Sequence, residues 1–288
     1  MEAFLKTALS LFFRATAVFS TKLAAELAWS FFCKPLYHKK PLGKKEQTLL
    51  NQATQYFIDY EDKKIAVYQW QNVNGTQDTK TIMLSHGWGG HAFNFVFIIQ
   101  SLLEQGFNIL AYDSPAHGNS SGKQTNLLQN AQTILEISKK VTPIHALIGH
   151  SFGSISSAFA LDLAQGTEQL KQVNSIVLIA GPNKLADIFA SFTQTMHLPD
   201  RILEIFYRKV EALTLRKMQH MNTVNFLQHF SGSILVVHDQ NDRVVPFSEA
   251  ENVSHSSGGK LYSTKGYGHG RILRNEDVVA EIVNSLQN

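Results

Sequence analysis

The chain has 288 residues, 44% hydrophobic and 17% charged, enough for one large buried core with room for an insertion. Cys33 is the only cysteine, which excludes an intramolecular disulfide and a cysteine-held zinc and points to a reducing, cytoplasmic setting. The net charge of +3 hides an asymmetry: residues 1 to 45 carry eight Lys and Arg against Glu2 and Glu26, or +6, leaving −3 for the rest; with no spread basic face or zinc-finger spacing, nucleic acid is excluded as a partner.

Residues Phe4 to Phe32 are strongly apolar, but Lys6, Arg14, Lys22 and Glu26 interrupt them. A spanning helix needs about 20 mostly apolar residues. Glu2, Lys6, Ser10 and Arg14 recur every four residues, a narrow polar stripe on an otherwise apolar helix. Residues 1 to 46 therefore read as an amphipathic helix and a basic linker containing Lys39, Lys40, Lys44 and Lys45. The apolar face has two destinations: the main domain, or a membrane interface where the lysines meet anionic lipid, giving peripheral association. The interrupting charges and the lack of a small-residue cleavage site argue against a secretory signal.

Beyond Gln47, short β-rich runs alternate with longer helical stretches, which predicts an α/β fold with a mostly parallel sheet. Strands are expected at Lys64 to Trp70, Thr81 to Ser85, Asn108 to Tyr112, Ile144 to Ile148, Ser175 to Ala180, Ile234 to His238 and Lys260 to Ser263. Helices are expected at Ala92 to Glu104 and Leu127 to Lys139, among others. Several strands are apolar throughout, as happens when helices cover both faces of a sheet. One interval breaks the rhythm. From Asn183 to Phe230 there is no convincing strand, while Pro199 precedes Ile202, Phe206, Val210 and Leu213 at helical spacing. The sequence thus divides into a core, 47–182 and 231–288, and a helical cap insertion, 183–230.

Four short motifs stand at the ends of expected strands. His86-Gly87-Trp88-Gly89-Gly90 comes first, then Asp113-Ser114-Pro115-Ala116-His117-Gly118-Asn119-Ser120. Gly149-His150-Ser151-Phe152-Gly153 fits the G-x-S-x-G turn that exposes a serine between a strand and a helix. The last is Asp239 to Pro246, followed by Gly268-His269-Gly270. A serine hydroxyl is a poor nucleophile until a base, usually histidine oriented by a carboxylate, stands within hydrogen-bond reach. Ser151, His269 and a late aspartate can supply that set.

In these four motifs and their order, the chain from about residue 50 onward resembles the α/β-hydrolase superfamily, and within it carboxylesterase- and lysophospholipase-like serine hydrolases. The resemblance implies a helical cap on a mostly parallel sheet. It also implies Ser151 as nucleophile, His269 as general base and Asp242 as the orienting acid. Asp239 then reads as a turn residue whose carboxylate bonds local backbone N–H groups, His150 as a packing and hydrogen-bonding residue, and the 113–120 segment as a structural brace of the elbow region. Backbone N–H groups of Trp88 and Phe152 would form the oxyanion hole, each such donor being worth about 3 kcal/mol. The implied reaction is cleavage of a small-molecule acyl ester through an acyl-enzyme, with neither cofactor nor metal. Acyl transfer and thioester cleavage use the same residues, and a noncatalytic binding protein on this fold is a third alternative. Phe189, Phe192, Met196, Phe206 and Phe226 serve either as a pocket for an acyl chain or as the cap's own core. No residue pattern specifies an oligomer.

Overall fold

The computed structural model describes residues 2–35, 41–72, 79–141 and 143–287. Eight strands form a single sheet: β1 (Thr54–Tyr60), β2 (Lys63–Trp70), β3 (Thr81–Ser85), β4 (Asn108–Tyr112), β5 (Ala146–His150), β6 (Ser175–Ile179), β7 (Ser233–Asp239) and β8 (Lys260–Thr264). Their spatial order is β1-β2-β4-β3-β5-β6-β7-β8. β2 pairs antiparallel with β1 and β4, and all later pairings are parallel. Every residue of β3, β5 and β6 is buried, which explains their continuous apolar runs.

The helices are α1 (Glu2–Phe19), α2 (Thr21–Phe32), α3 (Lys44–Gln52), α4 (Val96–Glu104), α5 (Leu127–Lys140), α6 (Phe152–Leu163), α7 (Leu185–Thr195), α8 (Asp200–Thr214), α9 (Thr223–Leu227), α10 (Phe247–Ser257), α11 (Gly268–Arg271) and α12 (Glu276–Gln287). Successive strand residues feed opposite sides of the sheet. Leu147 and Ile176 join Ile134, Ala158 and Phe159 of α5 and α6 on one face. Ile148 and Val177 join Ile99 of α4 and Ile282 of α12 on the other.

β1 has no counterpart among the expected strands. It is an edge strand with four exposed positions, so its apolar pattern is weak. Its hairpin to β2 also lacks the usual turn signature, because Glu61 takes the positive φ of 52° at which such loops favour glycine or asparagine.

Between β6 and β7 the chain forms α7, α8 and α9, with an isolated antiparallel bridge from Lys184 to Asn222 at the base. Ile202, Phe206 and Val210 of α8 face inward, with Pro199 at its N-cap. The N-terminal apolar stretch is broken into two helices at Ser20, whose hydroxyl accepts the Leu23 N–H at 3.2 Å and caps α2. Phe13, Ala24, Ala25 and Ala28 are buried in the same core as α7 and α8. Trp29 meets Phe206 edge-on at 5.1 Å between ring centroids, and Phe32 meets Phe189 at 5.1 Å. Part of the expected polar stripe also turns inward: Ser10 is buried and donates to the Met196 carbonyl at 2.6 Å. Lys39 and Lys40 of the basic linker lie outside the described residues. No helix among the described residues is long and apolar enough to cross a membrane.

Candidate active site

The parallel strands point their C-terminal ends to one edge, where the connecting loops converge. At the end of β5 the chain turns sharply into α6 through Ser151, which adopts φ 53° and ψ −116°. That conformation is costly for a residue with a Cβ and holds only where packing over-determines it. Here a Cβ on Gly149 would lie 2.5 Å from the Ser154 nitrogen, and one on Gly153 would collide with the Ser85 carbonyl oxygen. The Ser151 N–H in turn donates to the Ile179 carbonyl of β6 at 2.8 Å. Two glycines and a cross-strand bond thus hold the serine at the tip of the turn.

His269 sits in the short helix α11, reached from β8 through Gly266 and Gly268, both at positive φ. Its Nε2 is 2.9 Å from the Ser151 Oγ, and its Nδ1 is 2.8 Å from the Asp242 Oδ2. The carboxylate is fully enclosed and needs its charge satisfied. Its Oδ1 accepts the N–H groups of Val244 at 2.8 Å and Val245 at 3.1 Å. Burial works to raise the Asp242 pKa, but hydrogen bonds from His238, His269 and Val244 outweigh it and hold the group well below the usual carboxylate range.

Asp239, three residues earlier, serves a different set of donors. It accepts the Thr264 hydroxyl at 2.8 Å and the N–H groups of Asn241, Gly266 and Tyr267. It ties the end of β7 to the turn that carries His269. Burial opposes its charge, yet these donors lower its pKa to about 2.

The glycine loop after β3 runs beside the elbow, since a Cβ on Gly87 would come within 3.2 Å of the Ser151 Cβ. Neither the Trp88 N–H nor the Phe152 N–H has a partner among the described residues. For Phe152 the reason is its place as the first residue of α6. The segment after β4, expected to brace the elbow, braces this glycine loop instead. Asp113 accepts the Ala92 N–H at 2.8 Å, and His117 Nε2 accepts the Gly89 N–H at 3.0 Å. His86 completes the clamp by accepting the Ser114 N–H at 2.9 Å. Burial keeps both imidazoles neutral, with pKa values of about 4 for His86 and about 3 for His117, so that each presents an acceptor nitrogen.

Among known proteins, a model of the alpha/beta hydrolase family matches residues 82–282. The chain belongs to the alpha/beta hydrolase family. No protein of curated function is matched by the sequence. Among solved structures, the esterase Pf2001 of Pyrococcus furiosus superposes with a TM-score of 0.65 at 18% identity, covering 88% of this chain and 97% of that one. Est1E of Butyrivibrio proteoclasticus with bound ferulic acid gives 0.61 at 20%, covering 81% and 100%. A membrane phospholipase A, described as a bacterial virulence factor, gives 0.62 at 17%, covering 100% and 98%. At these identities the likeness is one of fold.

In this alpha/beta hydrolase, Ser151 opens into a cavity of about 760 Å³. α7 contributes Phe189 and Phe192 to its wall, and α8 contributes Leu213. The five cap residues weighed from the sequence therefore divide: Phe189 and Phe192 line the cavity, while Met196, Phe206 and Phe226 are buried in the core. Trp29, Phe31 and Phe32 of α2 complete the aromatic wall. Sequence reasoning missed these three as site residues. The signal was an aromatic pair three apart on one helix, whose facing partners lie about 160 residues away.

Proposed function

We propose that the chain is a serine hydrolase that cleaves a carboxylic ester whose acyl part is apolar. The observation that supports this reading most is the unbroken line Ser151, His269, Asp242, whose serine opens into an apolar cavity. In the proposed reaction the Ser151 Oγ attacks the ester carbonyl while its proton moves to the His269 Nε2. Asp242 keeps the Nδ1–H in place, so Nε2 is the free base, and stabilises the imidazolium that forms. The oxyanion is received by the Trp88 and Phe152 N–H groups, for which no acceptor among the described residues competes. His269 returns the proton to the departing alcohol, leaving an acyl-enzyme that water cleaves by the reverse sequence.

The test is Ser151→Ala, which abolishes turnover of p-nitrophenyl esters and labelling by a fluorophosphonate probe. Labelling that persists at another residue overturns the assignment. Acyl transfer and thioester cleavage would proceed through the same acyl-enzyme. Product partitioning in the presence of an added alcohol or thiol acceptor separates them from hydrolysis.

We further propose that the N-terminal pair rests on an anionic lipid surface. Leu11, Phe12, Val18, Phe19 and Leu23 remain exposed after α1 and α2 have packed on the cap, and exposed Lys6, Arg14 and Lys22 flank them. A contiguous apolar face with a basic border suits a lipid interface.

A further inference from the structure

The cleft has two lobes that meet at Ser151, Trp88 and Gly89. The larger is the apolar cavity walled by α2 and α7. The smaller, about 610 Å³, is bounded by the glycine loop, His150, Tyr267, His269, Arg271 and Arg274. An ester bound at Ser151 has two arms to place, and the proton transfer decides which goes where. The imidazole that takes the serine proton must hand it to the leaving atom, so the leaving group has to lie beside His269. His269 lines the smaller lobe and not the larger. The acyl chain therefore belongs among the aromatic side chains and the leaving group in the smaller lobe.

The chemistry of that smaller lobe is cationic. Arg271 and Arg274 line it, and no carboxylate does. Arg271 is held in place by its own loop, with Nε donating to the Tyr267 carbonyl and Nη2 to the Gly266 carbonyl, both at 3.0 Å. Glu276 and Asp277 open α12 just beyond, exposed and outside the lobe. Among the described residues no ion pair engages either guanidinium. Two guanidinium groups with no carboxylate partner beside a general acid favour a leaving group that carries a phosphate, because arginine forms strong charge-assisted hydrogen bonds to phosphate oxygens.

We propose that the lobe bounded by Arg271 and Arg274 is a leaving-group subsite for a phosphate-bearing alcohol or thiol, so that the substrate pairs an apolar acyl chain with an anionic head. The inference rests on the serine-hydrolase reading. In the step itself the bond from the carbonyl carbon to the leaving oxygen or sulfur breaks. The carbonyl carbon bonds to the Ser151 Oγ, and the proton taken from Ser151 ends on the leaving atom. Water then releases the carboxylic acid.

The experiment compares three octanoyl compounds on the full chain: octanoylglycerol, octanoylglycerol 3-phosphate and octanoyl-coenzyme A. The expected result is a kcat/KM at least tenfold higher for one or both phosphorylated compounds than for octanoylglycerol. Which one gains separates a glycerophosphate head from a phosphopantetheine-type head. Arg274→Gln, chosen because this side chain holds no loop together, should lower that selectivity ratio at least fivefold. As a measurement that needs no variant, glycerol 3-phosphate should slow fluorophosphonate labelling of Ser151 more than glycerol does. Labelling at Ser151 together with a ratio near one, or one unmoved by Arg274→Gln, overturns the subsite alone. Absence of labelling at Ser151 overturns the underlying reading and the subsite with it.

Discussion

His150 donates from its Nε2 to the backbone carbonyl of His269 at 2.9 Å, joining the residue before the serine to the residue that bears the imidazole. Burial lowers the His150 pKa to about 4, so this donor is neutral and its tautomer is set by the carbonyl it serves. His150 is thus a positioning residue for the 2.9 Å approach of His269 to Ser151. His150→Phe removes the donor and leaves the carbonyl unpaired, a cost of about 1–3 kcal/mol. If that cost falls on alignment, kcat drops roughly five- to a hundredfold with KM within about twofold. A loss confined to KM, or thermal stability falling with kcat unchanged, contradicts the role.

The elbow makes a sharper demand on Gly153. An alanine methyl there would meet the Ser85 carbonyl of the neighbouring strand, which cannot move without breaking the sheet. Gly153→Ala should destabilise the fold by about 3 kcal/mol or more, since the collision is with backbone. Gly166→Ala is the comparison: that glycine has φ +75° but nothing within 4 Å of an added Cβ. It should cost only about 1 kcal/mol through backbone strain. Urea unfolding of the two variants measures the difference, and equal losses would show that the elbow is not the constraint.

Why Gly153 was legible and Trp29 was not has a physical basis. Glycine at the elbow answers a local requirement, so the five residues from Gly149 to Gly153 carry it by themselves. The central strands were legible for a similar reason: burial on both faces favours consecutive apolar residues, as in Ile82, Met83 and Leu84 of β3 and Ile109, Leu110 and Ala111 of β4. Trp29 and Phe32 acquire their place only from Phe189 and Phe206, residues distant in the chain that α2 reaches by folding back over the cap. His117 was read as part of a strand-end turn, yet it holds the glycine loop through the Gly89 N–H. A hydrogen bond between two loops leaves no periodicity in either segment.

Asp239 gives a pH-dependent test. Its folded-state pKa of about 2 lies below the ordinary aspartate value of 3.8, so the folded protein binds fewer protons than the unfolded chain between those values. The stability it contributes, about 2 kcal/mol, is present above pH 4 and lost as pH falls through about 2. Asp239→Asn should therefore be less stable than wild type at pH 7, with the gap narrowing below pH 4. Denaturant midpoints measured at pH 7, 4 and 3 check this; a gap that stays constant contradicts it.

The buried histidines simplify the expected rate profile. His86, His117 and His150 charge only near pH 3 to 4, so above pH 5 they hold one protonation state. Above pH 5, none of these three should therefore add a limb of its own to the kcat/KM profile. In the proposed reaction His269, hydrogen-bonded to Ser151, takes its proton. Asp242→Asn should depress kcat/KM roughly 10³-fold or more, because the imidazole loses the group that fixes its tautomer. A kcat/KM that Asp242→Asn leaves within about tenfold of wild type counts against that role.

The lipid surface proposed for α1 and α2 can be separated from their packing role, because different residues serve each. Val18 and Phe19 are 83% and 90% exposed, whereas Phe13 and Ala24 are buried against the cap. Replacing Val18 and Phe19 with glutamate should leave folding stability within about 0.5 kcal/mol, as for most exposed positions. The same change places negative charge where the chain would meet anionic headgroups. Wild-type protein should float with phosphatidylglycerol vesicles and be released by roughly 0.5 M salt, which screens attraction beyond a few ångströms. The double glutamate variant should stay at the bottom of the gradient. Deleting residues 2–33 is a different test: it strips Trp29 and Phe32 from Phe189 and Phe206, and should give insoluble protein. If the wild type fails to float, the exposed face of α1 serves some other partner.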